Sequence, residues 1–171
     1  MSLSLIRATR NDHIVHASRT FKVNDDPREL PLPRSLVWRG LVMKAENPLP
    51  FVPVISSCKV IERRSGGLIR EIVDKGDTIT EVVTFHPERM VKFERTSGRV
   101  LGTILNEIIE DDAGDLALKF TFTLSIEGVA DGSAEEKEFA SQMEDGYLMA
   151  VRATLKAMRQ LAKDNALRAA S

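Results

Sequence analysis

The sequence lacks most of the features by which a function is usually read. It has one cysteine, Cys58, so no internal disulfide can form, and a reducing, cytoplasmic setting is the natural expectation. It has no surplus of charge: 24 Lys and Arg stand against 25 Asp and Glu, without blocks of one sign, which removes the electrostatic footprint of a nucleic-acid or acidic-membrane binder. No apolar run approaches the roughly 20 residues needed to cross a bilayer, so membrane insertion is not expected. The opening Met1-Ser-Leu-Ser-Leu-Ile-Arg7 carries too short an apolar stretch for a signal peptide. There is no phosphate loop, dinucleotide glycine fingerprint or nucleophile elbow, and His13, His16, His86 and Cys58 show no metal spacing. The reading therefore expects no cofactor and no metal.

What the chain does have is a clear order of elements. Its 171 residues suit one domain, expected over 12–168, with 1–11 as a loose N-terminal segment. Residues 12–23 read as a strand that ends at Asn24-Asp25-Asp26-Pro27. After a proline-rich link, 35–46 reads as a short helix stopped by Asn47-Pro48, and Leu49, Phe51 and Val52 then form a connector with room for one helical turn. From Val54 to Glu127, Gly-containing and Pro-containing turns cut the chain into strand-length pieces, the signature of an antiparallel meander. The clearest piece places Leu116, Leu118, Phe120, Phe122, Leu124 and Ile126 on one face and polar residues on the other.

Ser133-Ala-Glu-Glu136 is a capping box that opens a long helix, expected from Ser133 to Leu167. Phe139, Met143, Tyr147, Ala150, Thr154, Ala157 and Leu161 form its apolar stripe. A helix of about 50 Å can lie only across the sheet. The fold class is thus α+β, a curved antiparallel sheet wrapped around a long C-terminal helix with short helices near the N-terminus, enclosing a cavity.

With these elements placed, the segment from Leu32 to Pro53, centred on Trp38-Arg39-Gly40-Leu41 and followed by Asn47-Pro48, resembles the opening signature of DUF1857, a family of the START/Bet v 1-like (SRPBCC) superfamily. Arg70-Glu71, Ile108-Ile-Glu110 and the Tyr147 region are further matches, and the resemblance runs from about His13 to Ala162. Pro33 stands where a Thr helix cap is expected, and Ser35 where an acidic or amide residue is usual. The resemblance implies a helix-grip (Bet v 1-like) fold with a mostly apolar cavity and no settled activity. Members of the superfamily bind lipids, sterols or other hydrophobic metabolites, act as polyketide cyclases or aromatases, or serve as co-chaperones.

Three glutamates draw the chemistry. Glu71, Glu81 and Glu107 each have apolar residues two places away on both sides, so inward-facing strands would aim carboxylates into a low-dielectric interior, as general acids or bases. The neighbouring parity also holds apolar residues, and a shift by one residue would turn them outward. Arg39 and Arg70 can clamp an anionic ligand or pair with Glu71 or Glu81. Trp38, Phe51, Phe120, Phe122, Phe139, Met143 and Tyr147 supply core or cavity wall, and Tyr147 adds a hydroxyl. The primary expectation is a binding protein for a small hydrophobic or aromatic molecule. The alternatives are a cyclase-like or isomerase-like enzyme using a cavity carboxylate, and a protein-interaction module with a solid interior.

Overall fold

The computed structural model describes residues 14–169, with side chains to residue 165. Its elements are β1 (Ile14–Lys22), α1 (Arg34–Glu46), β2 (Ile55–Arg64), β3 (Gly67–Asp74), β4 (Asp77–His86), β5 (Met90–Arg95), β6 (Val100–Glu110), β7 (Leu116–Ile126) and α2 (Ala134–Ala169). The expected start of the first strand, with His13, lies outside the described residues.

All seven strands form one antiparallel sheet in the order β1-β7-β6-β5-β4-β3-β2. The run from β2 to β7 is the expected meander. The connection from β1 to β2 is the exception: it carries α1 from one edge of the sheet to the other. Turn chemistry sets the hairpins. Between β3 and β4, Lys75 (φ 49°) and Gly76 (φ 83°) are both left-handed, the two-residue geometry whose twist matches that of the flanking strands. Between β6 and β7, the Asp111 carboxylate accepts from the backbone N–H groups of Ala113 and Asp115.

One face of the sheet is dry. Leu68 and Ile72 on β3, Ile79 and Val83 on β4, Val91 and Phe93 on β5, Ile104 and Ile108 on β6, and alternate residues from Leu118 to Ile126 on β7 are all buried. Val37, Leu41 and Ala45 of α1 and Val151 and Met158 of α2 close over this face. The 36 residues of α2 lie across it, with Tyr147 stacked on Phe122 at 4.8 Å between ring centres. This is the helix-grip arrangement.

Two local details differ from expectation. At the start of α2, the Ser133 hydroxyl accepts from the Glu136 N–H at 3.2 Å as a capping box requires, but the Glu136 carboxylate accepts from the N–H of Gly132, one residue earlier than expected. In the C-terminal half of α2, the buried stripe runs through Val151, Thr154 and Met158, while Ala157 and Leu161 are only partly covered. Steps of three and four in a sequence hide a rotation of the face, because the true period is 3.6.

Candidate functional site

The site grows out of the sheet's register. Arg70 faces Glu81 across β3 and β4, and Glu81 faces Arg95 across β4 and β5, so the three side chains stand in a row on the inner face. Arg70 is 4 % exposed and Glu81 1 %. Arg70 donates to Glu81 Oε2 through Nε at 2.8 Å and Nη2 at 2.7 Å, and Arg95 Nε donates to Glu81 Oε1 at 3.3 Å. Arg95 Nη2 also reaches Asp74 Oδ2 at 3.3 Å. Both carboxylate oxygens of Glu81 are therefore engaged by guanidinium groups.

The end of α1 is drawn into the same network. Asn47-Pro48 stops the helix, which leaves its last carbonyls without partners inside the helix. Arg70 Nη1 donates to two of them, on Lys44 (3.2 Å) and Ala45 (2.7 Å). Arg70 thus satisfies a buried helix end and a buried carboxylate at once, and its guanidinium lies 4.9 Å from the centre of the Phe93 ring.

Lys44 is the fifth charged side chain here. It falls three residues after Leu41 and seven after Val37, on the buried stripe of α1, and is 8 % exposed. Its Nζ donates to Asn106 Oδ1 at 2.9 Å and lies 5.0 Å from the centre of the Phe120 ring. Burial lowers its pKa from 10.5 to about 7, with the Arg70 charge adding to the drop and Glu81 opposing it. Tyr147 moves the other way: burial raises its pKa above the ordinary phenol value, so the hydroxyl stays protonated. Among the described residues that hydroxyl has no hydrogen-bond partner.

Between these groups and α2 lies a chamber of about 110 Å³, with Lys44, Arg70, Glu81 and Arg95 at its polar end and Phe93, Ile104, Met143 and Tyr147 in its apolar wall. A second, open lobe of about 300 Å³ shares Asp74, Arg95, Gln142 and Met143 with the chamber as lining and reaches Phe139. The outer lobe stands at the lower end of the range usual for small-molecule sites, about 300 Å³, and the chamber alone lies below it.

The residues singled out from sequence divide accordingly. Arg70, Glu81, Met143 and Tyr147 meet at the chamber, and Phe139 lines the outer lobe. Phe120 and Phe122 pack against Tyr147 from below. Glu71 and Glu107 do not face the chamber: Leu68, Arg70 and Ile72, and Ile104, Asn106 and Ile108, take the inward positions, leaving Glu71 opposite Lys59 and Glu107 opposite Lys119 on the outer face. Arg39 is exposed on α1, in a shallow groove with Leu36 and Ala162, away from the chamber. Trp38 packs edge-on against Phe85 in the core, and Phe51 is buried in the connector; neither lines the chamber. Sequence reasoning missed Lys44, Asn106, Arg95 and Asp74. For Lys44 a signal existed, a lysine on the apolar stripe of a short helix. Among the described residues no group of three His, Cys, Asp or Glu is arranged to hold a metal ion, and no helix is long and apolar enough to cross a membrane.

Comparison with known proteins places this geometry. The fold is similar to the ZhuI aromatase/cyclase from Streptomyces sp. R1128, with a TM-score of 0.67 at 16 % identity over 86 % of this chain and 95 % of the other. It is similar to the di-domain aromatase/cyclase StfQ of the steffimycin biosynthetic pathway, with a TM-score of 0.65 at 12 % identity over 90 % of this chain and 54 % of that one. It also resembles Ara h 8.0201, with a TM-score of 0.57 at 15 % identity, covering 85 % and 98 %. No curated protein matches the sequence. Residues 17–165 match the family described as acetylaranotin biosynthesis cluster protein L, and the chain belongs to that family, AtaL.

Proposed function

We propose that the protein binds a small, mostly apolar or aromatic molecule bearing an oxygen function, in the chamber between β3–β6 and α2. The observation that carries this reading is the chamber's asymmetry: aliphatic and aromatic walls on one side, among them Tyr147 with its unpartnered hydroxyl, and on the other a fixed polar end. Such a site recognises a hydrophobic body by burial and orients it by one or two polar contacts. The family's link to a biosynthetic cluster and the aromatase/cyclase neighbours support a ring-bearing or polyketide-like guest. Two finer expectations travel with the proposal. Cytoplasmic residence is supported by the single thiol Cys58, and membership of DUF1857 by the signature around Trp38-Arg39-Gly40-Leu41.

The alternative of an enzyme that works through a cavity carboxylate has little geometric support. Glu81 is held by two arginines, Asp74 is paired with Arg95, and Glu71 and Glu107 face away. Titration with a solvatochromic apolar dye tests the binding reading. Saturable fluorescence enhancement, competed by small aromatic ketones, is the expected result; a linear, non-competable response would refute an enclosed site.

A further inference from the structure

We propose that Lys44 is a reactive amine and that the chamber accepts an aldehyde or ketone, whose carbonyl carbon the Lys44 nitrogen attacks to form an imine. This deepens the ligand-binding reading above and rests on the same site. The charges of the interior are out of balance. The four other charged groups of the interior cancel in pairs, Arg70 and Arg95 against Glu81 and Asp74. Lys44 is left over. It lines the chamber at 8 % exposure, yet among the described residues no carboxylate forms an ion pair with it, and its hydrogen bond goes to a neutral amide. A lysine kept only for stability would be matched by a carboxylate or would extend its amine to water. This one does neither.

The surroundings suit carbonyl chemistry. Asn106 Oδ1 accepts from the amine at 2.9 Å and fixes its position from behind the chamber wall, and the Nδ2 of the same amide is buried without a partner. Tyr147 offers a donor from α2. Phe120 beneath the amine and Phe93 and Ile104 in the wall surround the site with apolar surface, which favours loss of water from the adduct. Burial also holds the amine near neutrality, at about 7, so that much of it carries a free lone pair at physiological pH.

The reaction needs no reagent beyond the guest. The amine lone pair forms a C–N bond as the carbonyl π pair moves onto oxygen. Proton transfer from nitrogen to that oxygen gives the carbinolamine. The C–O bond then breaks, the hydroxyl departs with a proton as water, and the nitrogen lone pair forms C=N. Hydrolysis reverses every step.

Reductive trapping tests the proposal. The full-length protein is incubated with benzaldehyde and sodium cyanoborohydride from pH 5.5 to 9.5, and benzylated lysines are located by peptide mass spectrometry, with dye titration run in parallel. Lys44 should be modified at least ~10-fold faster at pH 7 than any other lysine, since an exposed amine is almost wholly protonated there. Its rate should rise to a midpoint near pH 7, set first by burial, then by the Arg70 charge, which lowers it, and Glu81, which opposes the drop; Asp74, Lys75, Arg95 and Tyr147 are the other titratable groups around the chamber. The apolar dye should block it, and Lys44→Met should abolish it. Saturable dye binding without preferential labelling of Lys44 would overturn the amine's role and leave the binding site intact. Absence of both would overturn the two readings together.

Discussion

Burying Lys44 costs the fold stability whenever its amine is protonated, and the sign of the resulting pH dependence is fixed. In the unfolded chain the amine titrates near 10.5, whereas in the folded protein it titrates near 7. Between those values the unfolded state binds the extra proton, so stability rises with pH across that window and the full penalty is present below it. From pH 6 to pH 9 the gain from this group should be about 2–3 kcal/mol, at roughly 1.4 kcal/mol per tenfold change in proton affinity. Tyr147 acts above pH 10, where the unfolded chain ionises and the folded hydroxyl does not, so its contribution there falls as pH rises. Urea denaturation of the wild type and of Lys44→Met at pH 6, 7.5 and 9 measures the effect as a difference. The wild type should gain relative to the variant across the series, and parallel curves would mean that the amine is not held out of water.

At the scale of the element, the contact between α1 and α2 depends on an absent side chain. A Cβ added to Gly40 would lie 2.5 Å from Met158 Cγ and 2.6 Å from its Cε, well inside contact distance. Gly40→Val should therefore destabilise the protein by about 1–3 kcal/mol, the usual cost of overpacking a fitted core. Adding Met158→Ala should return part of that loss, which a double-mutant cycle read by thermal denaturation would show. Elements of this kind differed in how far they could be read from sequence. β7 was legible because one parity is wholly apolar and the other, after Ala117, is polar throughout. β3 and β6 were not, because Ile69, Val73, Leu105 and Ile109 make the outward face look buried, while Arg70 and Asn106 make the inward face look wet. The inward reading of Glu71 and Glu107 failed there for a physical reason: a polar cluster whose charged groups pair with one another reverses the rule that polar residues face water. Only the register, which sets Arg70, Glu81 and Arg95 side by side, resolves the parity, and register is a property of paired strands.

At the scale of the whole molecule, the sheet and the two helices border a space that the chain has not filled, and one residue shows what that space costs. Gly146 sits inside α2, where glycine is less favourable than alanine by about 1 kcal/mol, and it lines the chamber. A Cβ there would meet nothing within 4 Å, so the glycine answers no steric demand of the fold itself. Gly146→Ala should then raise stability by about 0.5–1 kcal/mol while leaving the chamber open, because one methyl group removes little of its volume. Gly146→Leu should keep or raise stability but extend a branched side chain into the chamber that Met143 and Tyr147 also line, and the dye's affinity should fall by about 10-fold or more, on the order of 1.4 kcal/mol. The pair separates the helix from the hollow. If both variants are stabilised and the leucine alone blocks the dye, the unfilled volume is the binding site. If the leucine binds dye as the wild type does, the probe sits elsewhere and the space beneath α2 is a packing defect without a guest.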